Sequence, residues 1–356
     1  MQSKHWFIQR GTGAKPRTLP LPQIRRSRIC GLISEITERK AEKHMKALII
    51  GAAGFVGGHL IRHLVCDCGA EVAATKLPHE KLETEQADIY DLDILDTCAV
   101  SALVKEIKPD QIYHLAAQSS VKVSWEKPQL TADINVKGTI NVLEAVRASG
   151  CTPRILLVGS GEEYGYLKPD EIPVREDTLL RAGNIYAATK ACQGMLGEIY
   201  ARAYGMDIVM VRAFNHIGPG QSEIFVVSDF CRQAVMIEKG LREPVMSVGN
   251  LAAERDFTDV RDIVRAYSSL MKSGRKGETY NVGSGKARSI QSILEMILSK
   301  TSVHIDVKQD IAKMRPSDVP VIAADITKLK ADTGWEPVIA IGDTIDDIMN
   351  YWRKIL

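Results

Sequence analysis

Long apolar runs are missing from this sequence. No stretch approaches the ~20 consecutive apolar residues that a transmembrane helix needs. The N-terminal residues also lack the apolar segment and the small-residue cleavage site of a signal peptide. We therefore expect a cytoplasmic protein with no membrane partner.

Paired cysteines are missing as well. The seven cysteines are odd in number and scattered, and none of them forms a Cys-x-x-Cys motif. This pattern is typical of reduced, mostly buried thiols and argues against a structural metal. The seven positions are Cys30, Cys66, Cys68, Cys98, Cys151, Cys192 and Cys231.

The sequence has no strong excess of charge of one sign. The formal net charge is +2, but residues 1–44 contain ten Lys or Arg against three Glu, which leaves 36 basic and 41 acidic residues from Met45 onward. A mildly acidic body argues against nucleic acid as the main partner. Residues 1–44 show no sustained helix or strand period, so we interpret them as a disordered basic extension, a cloning remnant or an upstream start before Met45. A basic arm for an anionic surface is the functional alternative.

The segment after Met45 contains a strand, a glycine-rich turn and a helix in immediate succession. KALII is a short buried strand, Gly51, Gly54 and Gly57 are spaced G-x-x-G-x-x-G, and FVGGHLIRHLV has helical periodicity. In this context the glycines allow a tight turn and a close approach to a pyrophosphate, and the helix N-terminus supplies amide donors. The segment predicts a dinucleotide-binding site.

The end of the second predicted strand bears on the choice between the nicotinamide cofactors. The strand AEVAAT, residues 70–75, is followed by Lys76 and Leu77, and the next acid is Glu80. An acid at this place suits the ribose 2′-hydroxyl of NAD, whereas a basic residue suits the 2′-phosphate of NADP. We therefore expect NADP(H) to be preferred and NAD(H) to be possible, with Lys76 near the 2′-phosphate.

Predicted strands and helices alternate from residue 46 to residue 214. This alternation predicts an α/β fold, a Rossmann-type doubly wound parallel sheet. The shorter, mixed elements that follow predict a smaller C-terminal α/β lobe for the substrate. We place the NADP-binding domain at residues 45–214 and the lobe at residues 215–356, with some segments of the lobe returning to the sheet. His114, on the strand DQIYHLAA, is expected to be a core residue.

A tyrosine and a lysine stand four residues apart in NIYAATK, residues 184–190. On a helix, residues i and i+4 are neighbours, so Tyr186 and Lys190 can act on one substrate. We expect the ammonium to stabilise the phenolate and to lower the pKa of Tyr186 toward neutral pH, which would make the phenol a usable general acid.

Seven ordered segments give this chain its resemblance to a known family, the extended short-chain dehydrogenases/reductases that act on nucleotide sugars. They are GAAGFVG (51–57), HLAA (114–117), GSGEEYG (159–165), YAATK (186–190), FNHIGPGQ (214–221), RDFTDVRD (255–262) and MRPSDV (314–319). The resemblance covers residues 45 to about 351 and implies a catalytic group of Ser160, Tyr186 and Lys190.

The candidate site residues fall into two sets. For the cofactor we expect Gly51, Gly54, Phe55, Val56 and Gly57 at the pyrophosphate and Lys76 at the 2′-phosphate. The resemblance implies Asp93 and Ile94 at the adenine edge, and Ala116, Ala117, Gln118, Tyr186 and Lys190 on the nicotinamide side. For the nucleotide sugar we expect Ser120, Glu162, Asn215, Arg255, Arg315 and Asp318. The two arginines can neutralise a diphosphate with paired donors, and Asp318 can accept from ribose hydroxyls.

The later loops look most like those of reductases of GDP-4-dehydro-6-deoxy-D-mannose. The first glycine loop and the absence of arginine after the second strand depart from the pattern of the GDP-mannose 4,6-dehydratases. Glu162, however, stands where a dehydratase has the acid that eliminates water, so a dehydratase remains the main alternative. An epimerase or UDP-sugar enzyme and a regulatory protein that has lost its chemistry are further alternatives, and the intact Ser160, Tyr186 and Lys190 argue against the last.

The resemblance also implies a homodimer, formed through the long helices near residues 133–147 and 191–203 as a four-helix interface.

Overall fold

A computed structural model describes residues 44–313 and 320–356. Residues 1–43, which make up nearly all of the predicted extension, lie outside the described residues. The same holds for residues 314–319, and therefore for the candidate substrate contacts Arg315 and Asp318. His44–Leu356 forms one compact unit.

A seven-stranded parallel sheet lies at the centre of this unit. In chain order its strands are β1 (Lys46–Ile50), β2 (Glu71–Lys76), β3 (Asp88–Asp91), β4 (Gln111–His114), β5 (Arg154–Ser160), β6 (Ile208–Ala213) and β10 (Thr279–Val282). Their spatial order is β10-β6-β5-β4-β1-β2-β3, and every neighbouring pair is parallel. The chain reverses its winding direction between β1 and β4, which confirms the predicted doubly wound fold. In such sheets the ligand crevice lies at this reversal, beyond the carboxyl ends of the strands.

The described residues also contain two small sheets and eleven α-helices. The small sheets consist of β7 (Asn215–Ile217), β9 (Glu254–Asp259) and β11 (Ala287–Ser289), and of β8 (Val245–Val248) and β12 (Asp306–Gln309). The helices are α1 (Phe55–Cys66), α2 (Thr97–Ile107), α3 (Val121–Glu126), α4 (Pro128–Ala132), α5 (Gly138–Ser149), α6 (Ile185–Ala203), α7 (Val226–Glu238), α8 (Val260–Ser273), α9 (Ile290–Leu298), α10 (Thr327–Thr333) and α11 (Ile341–Ile355).

The strands β1 and β6 are buried on both faces of the sheet because they are apolar at nearly every position. In β1, Ala47 and Ile49 pack toward α1 and α8, whereas Leu48 and Ile50 pack toward α2 and α5. Successive strand residues point to opposite faces, so a strand covered on both sides needs a continuous apolar run. KALII meets this requirement and fixes β1 as a central strand.

Several local expectations differ from the structure. The second strand begins and ends one residue later than predicted, and the fourth ends at His114 because the chain then turns toward the glycine loop. The helical segment 128–149 is interrupted by a π-helical turn at Asp133–Lys137. The four-residue strands β3 and β10 were not predicted, since such short runs carry little periodic signal. Among the described cysteines only Cys231 is buried, so the expectation of mostly buried thiols was wrong.

None of the helices in residues 44–313 and 320–356 combines the length and the apolar composition that a membrane span requires. The boundary that we predicted near residue 214 stays a prediction. The strand β10 lies far beyond that boundary in the chain and pairs with β6 of the central sheet.

Candidate active site

The glycine-rich turn leaves β1 at the point where the sheet reverses its winding. Gly51 has a φ of +86°, and a Cβ there would lie 2.5 Å from the backbone of Ala116. A Cβ on Gly57 would lie 2.0 Å from the carbonyl oxygen of Ala52. The fold itself therefore requires glycine at both positions, because the turn packs against its neighbours through backbone atoms.

Gly54 has a different surrounding. A Cβ there would meet only the carbonyl oxygen of Gly51, at 3.7 Å, so the space in front of it is open. Gly54 is the N-cap of α1, and in this described helix no side chain caps the first turn and no acid lies in it. Open amide groups at a helix N-terminus bind anions. The residues present thus fit the pyrophosphate of a nicotinamide dinucleotide.

Phe55 and Val56, which follow Gly54, are half-buried and not fully exposed to solvent. The ring of Phe55 stacks on His216, with centroids 6.0 Å apart and planes 5° apart. Val56 packs against the apolar core beneath the turn. Phe55 therefore connects the glycine-rich turn with the FNHIGPGQ loop, a contact between distant segments that the motifs do not reveal.

The end of β2 supports the turn and carries the candidate 2′-phosphate contact. The buried Thr75 hydroxyl accepts from the Gly51 amide at 3.1 Å, and the Thr75 carbonyl accepts from the Ala52 amide at 2.7 Å. Lys76 points to Asp91 at the end of the neighbouring β3, with Nζ 2.5 Å from Oδ1, and also donates to the Leu77 carbonyl. Lys76 thus lies where we expected it, but its charge is paired with a carboxylate.

The predicted adenine edge is only partly available to a ligand. Asp93 is exposed, and its carboxylate accepts from the Leu95 amide at 2.9 Å. The side chain of Ile94 is 6% exposed and belongs to the core beside Gly138. Because the Ile94 side chain is buried in the core, the structure does not support a direct contact between it and adenine.

The HLAAQSS segment faces the turn from β4. The Ala116 amide donates to the Ile50 carbonyl at 2.8 Å, and Ala116 and Ala117 are half-buried beside the crevice. Gln118 is held by its neighbours: its backbone amide donates to Asn135 Oδ1 at 2.8 Å, and its side chain contacts Ser120 and Thr131. Ser120 caps α3 by accepting from the Val123 amide.

Ser160, Tyr186 and Lys190 converge at the carboxyl end of β5. Ser160 is the last residue of β5, and a hydrogen bond joins its side chain to Tyr186. Asn184 caps α6 by accepting from the Ala187 amide at 2.8 Å, so Tyr186 lies in the first turn and Lys190 in the second. All three side chains are buried, with exposed fractions of 8%, 9% and 3%. The structure brings together the catalytic group that the sequence predicted.

The electrostatics of this group differ from our expectation. Lys190 Nζ donates to the Val158 carbonyl at 2.7 Å and to Gln193 Oε1 at 2.9 Å. Burial lowers the pKa of Lys190 to about 8. Burial also raises the pKa of Tyr186, against the lowering effect of the Ser160 hydrogen bond. We expected Lys190 to lower the pKa of Tyr186, but here the loss of solvation dominates and the phenol is held protonated.

The two glutamates of GSGEEYG have different surroundings. Glu162 is half-buried, and its carboxylate lies 3.4 Å from the Asn184 side-chain amide. Glu163 is 1% exposed and pairs with Arg212. Glu162, the predicted residue, lies in the turn that follows Ser160. Its half-buried side chain is accessible to a substrate. The importance of Glu163 escaped the sequence analysis because two adjacent glutamates look alike.

Asn135 is a further residue that the sequence analysis missed. Its fully buried side chain donates to the Gln118 carbonyl and to Thr189 Oγ1, and thereby ties the crevice to the catalytic helix. Asn135 lies in the π-helical turn, a local distortion that is frequent at functional sites.

His114 is 1% exposed and contacts Thr139. Burial and the nearby Lys190 lower the pKa of His114 to about 3, which confirms the prediction of a neutral core histidine.

The candidate diphosphate contacts lie on the small β7-β9-β11 sheet. Asn215 opens β7 and is exposed, and it pairs with Phe257 of β9. Arg255 is on β9, directly opposite Arg288 of β11 in the antiparallel register. Arg288, which the sequence analysis missed, thus lies beside Arg255 on the same sheet and joins it as a candidate for the diphosphate.

The acids of RDFTDVRD hold this sheet in place. The fully buried Asp256 carboxylate accepts from the amides of Ser284, Gly285 and Ala324 and from the Ser284 hydroxyl. Asp259 caps α8 and accepts from Arg261 and Thr344. These carboxylates are structural, and they fix the strand that carries Arg255.

Comparisons with known proteins agree in family and differ in reaction. A family model described as GDP-mannose 4,6 dehydratase matches residues 48–348. The chain is 31% identical to the GDP-6-deoxy-D-mannose reductase of Pseudomonas aeruginosa, over 87% of this chain and 97% of that protein. It is 29% identical to a GDP-mannose 4,6-dehydratase of Yersinia enterocolitica, over 83% of this chain and 90% of that protein.

Solved structures show the same similarity in three dimensions. The structure of RMD from Pseudomonas aeruginosa complexed with NADPH has a TM-score of 0.79 at 30% identity, over 88% of this chain and 100% of that chain. The Thermus thermophilus UDP-glucose 4-epimerase in complex with NAD has a TM-score of 0.78 at 28% identity, with the same shares covered. The first of these structures contains NADPH and the second contains NAD.

Proposed function

The chain belongs to the GDP-mannose 4,6-dehydratase family of extended short-chain dehydrogenases/reductases, and within it we propose a reductase that converts GDP-4-dehydro-6-deoxy-D-mannose to GDP-D-rhamnose. The coarser assignment is that of an NAD(P)-dependent nucleotide-sugar enzyme. The near full-length similarity to a GDP-6-deoxy-D-mannose reductase supports the finer one.

The similarity to a GDP-6-deoxy-D-mannose reductase over 97% of that protein carries the choice of reduction. Reduction of the C4 ketone requires a proton donor. Burial raises the pKa of Tyr186, so the phenol holds its proton at neutral pH and can serve as that donor.

Each residue of the site has a defined part in this reaction. The bound cofactor supplies the hydride that reaches C4. Tyr186 donates its proton to the C4 oxygen, which becomes a hydroxyl. Ser160 orients that oxygen through a hydrogen bond. Lys190 supports the phenolate that Tyr186 becomes, and we place it beside the nicotinamide ribose.

We assign the remaining ligand contacts by charge and position. Arg255 and Arg288 offer two guanidinium groups to the diphosphate, together with the amide of Asn215. Lys76 is the contact for a 2′-phosphate, so we propose that NADP(H) is preferred and that NAD(H) is also used. Arg315 and Asp318 stay proposed contacts of the substrate.

Glu162 keeps the GDP-mannose 4,6-dehydratase as a second candidate. Its amide lies 3.2 Å from Ser160 Oγ, so its carboxylate is within the same turn as the catalytic group. Purified protein should be incubated with GDP-4-dehydro-6-deoxy-D-mannose and NADPH, and separately with GDP-mannose alone. We expect NADPH oxidation in the first reaction, and NMR of the product should identify GDP-D-rhamnose. A keto sugar formed from GDP-mannose without added NADPH would instead identify the dehydratase.

Parallel reactions with the UDP and dTDP forms of the keto sugar test the choice of nucleotide. We expect a lower kcat/KM for both. Equal rates with all three would contradict the assignment of a GDP-sugar.

We also propose a homodimer. Exposed apolar side chains lie on α3, α4 and α6, which pack against one another: Trp125, Leu130, Met195 and Ile199 are between 41% and 61% exposed. Met195 and Ile199 lie within the predicted interface helix 191–203, whereas Trp125 and Leu130 precede the other predicted one, 133–147. Such an exposed apolar surface fits the packing of two copies.

A further inference from the structure

Glu163 is a buried carboxylate that the proposed reaction does not use. Its Oε1 accepts from the backbone amide of Ser160 at 2.7 Å, and its Oε2 accepts from Arg212 Nε at 3.0 Å. The side chain is 1% exposed. A buried carboxylate is costly unless it is paired and hydrogen-bonded. Here both oxygens are engaged, and one of them holds the residue that orients the substrate oxygen.

The surrounding backbone leaves room for this carboxylate. A Cβ on Gly159 would lie 2.3 Å from Glu163 Oε1, and a Cβ on Gly194 of α6 would lie 4.0 Å from Oε2. A side chain at residue 159 would displace the carboxylate and would also meet the Val211 carbonyl oxygen, 2.7 Å from the same Cβ. The carboxylate thus reaches the space between β5 and the catalytic helix.

The same carboxylate lies beside Gly159 and Gly194, which directly follow the two partners of Lys190 in the chain. The direct partners of Lys190, the Val158 carbonyl and Gln193 Oε1, are neutral. Burial lowers the pKa of Lys190, and the charge of Glu163 acts in the opposite direction. Burial raises the pKa of Glu163 itself, whereas Arg212 and the Ser160 amide favour its charged form. Paired in this way, Glu163 is the negative charge that offsets the burial of the ammonium.

The other titratable and charged groups near Lys190 come from several elements. Arg212 on β6 binds Glu163 and brings a second positive charge. His114 on β4 is neutral at physiological pH because its pKa lies near 3. Tyr186 on the same helix is protonated, and the Glu162 carboxylate acts on the pKa of Tyr186.

We propose that Glu163 is a positioning residue, whose carboxylate fixes the backbone that presents Ser160 and supplies the negative charge that keeps the buried Lys190 protonated. This inference rests on the proposed roles of Ser160 and Lys190. Because Glu163 is 1% exposed, we infer that it acts through those two residues and not by direct contact with a ligand. Its two functions can be separated, because a hydrogen-bond acceptor serves the first and a charge serves the second.

The charge function is tested by measuring the protonation of Lys190 directly. Protein labelled with 13C at lysine Cε gives an NMR signal for each lysine, and the Lys190 signal is assigned by its loss in Lys190→Arg. We expect a titration midpoint near 8 in the parent protein. In Glu163→Gln, which keeps an acceptor for the Ser160 amide, we expect the midpoint to fall by ~1 unit or more.

A matched control comes from the same helix. Glu198→Gln removes a half-buried carboxylate of α6 that has no hydrogen bond to Lys190 in the described residues, and it should leave the midpoint unchanged. If Glu163→Gln does not fold because Arg212 is left unpaired, the double variant Glu163→Gln/Arg212→Met removes that cation. A smaller downward shift is then expected, because the loss of Arg212 itself raises the pKa of Lys190. An unchanged midpoint in the folded variant would overturn the charge function.

The positioning function is tested by the pH profile of kcat. Glu163→Asp keeps the charge but withdraws the acceptor from the Ser160 amide, so kcat should fall at least tenfold at all pH values while the Lys190 midpoint stays near that of the parent. In Glu163→Gln the alkaline fall of kcat should begin at lower pH. Equal losses at every pH in both variants would reduce Glu163 to a merely structural residue and refute the inference. The NMR midpoint needs no substrate, so a wrong assignment of the sugar would leave that test valid.

Discussion

Lys76 Nζ lies 2.5 Å from Asp91 Oδ1, so the residue expected to bind a 2′-phosphate is already paired with a carboxylate. The Lys76 side chain is 16% exposed and that of Asp91 is 56% exposed, which leaves the acid at the surface of the cofactor crevice. A phosphate that binds Lys76 must compete with Asp91. We therefore expect this pair to limit the proposed preference for NADPH.

Removal of the competing acid should increase the preference for NADPH. Asp91→Asn frees the Lys76 ammonium and removes a charge that repels phosphate, so NADPH should bind about tenfold more tightly while NADH binding changes little. Lys76→Met should weaken NADPH binding. Fluorescence titration with NADPH, NADH and 2′,5′-ADP measures each affinity. Asp88→Asn, an exposed acid at the start of the same strand, serves as the control. An unchanged ratio of the two affinities in Asp91→Asn would contradict this role of Asp91.

Replacement of Tyr186 by phenylalanine should abolish most of the turnover. The ring stays in its buried place, but the proton donor is lost, and general acid catalysis contributes ~10²-fold or more. Steady-state NADPH oxidation measures the effect on kcat. Tyr351→Phe, in the C-terminal helix α11, should keep the parent rate. Turnover of Tyr186→Phe within tenfold of the parent would refute the assignment.

The burial of Lys190 should make stability depend on pH in a defined direction. Its pKa is lowered from 10.5 to about 8, so between these values the unfolded chain binds more protons than the folded one. The parent should therefore gain about 2 kcal/mol relative to Lys190→Met as the pH rises from 7 to 9.5. Urea unfolding of both proteins at the two pH values measures this difference. A difference that does not change with pH would show that Lys190 titrates normally.

The cross-strand arginines should both contribute to GDP binding. We expect Arg255→Ala and Arg288→Ala each to raise the Kd for GDP by about tenfold or more, since each removes a charge-assisted hydrogen bond. Calorimetric titration at low and high salt measures the loss, which salt should diminish. Arg275→Ala, an exposed arginine paired with Asp332, is the matched control. Binding as tight as that of the parent in both variants would contradict a diphosphate site on this sheet.

The proposed dimer depends on apolar side chains of the catalytic helix. Met195→Glu together with Ile199→Glu places two charges on one exposed face of α6, where residues i and i+4 are neighbours. Light scattering after gel filtration should show a mass near 78 kDa for the parent, twice the chain mass of 39.2 kDa, and half of that for the variant. Ile311→Glu, an 87% exposed apolar residue elsewhere, should leave the parent mass unchanged. A monomeric parent would refute the dimer.

The sequence predicted those parts of the site that depend on local geometry. The strand, turn and helix at Gly51 to Gly57 follow from one short segment, because a tight turn with positive φ and close backbone packing demands glycine. Asn184 as a helix cap and the spacing of Tyr186 and Lys190 follow in the same way from the helical repeat. The doubly wound sheet followed from the alternation of apolar strands and amphipathic helices.

The sequence could not give the partners that come from separate segments. The pairing of Lys76 with Asp91 depends on the register between β2 and β3, and β3 is too short to be recognised from its pattern. Arg288 lies opposite Arg255 only because β11 pairs with β9 in one particular register. Two adjacent glutamates in one turn acquire different roles because one side chain points into the protein and the other does not.

By itself, then, the sequence determined where backbone conformation needs a particular residue type: the glycine turn, the capped catalytic helix and the central strands. The tertiary structure alone decided the electrostatic state of the site. The pKa values of Tyr186 and Lys190 depend on how much solvent the surrounding elements exclude and on which charges they bring near. Solvation and charge proximity are properties of the assembled fold, so no local pattern of residues can specify them.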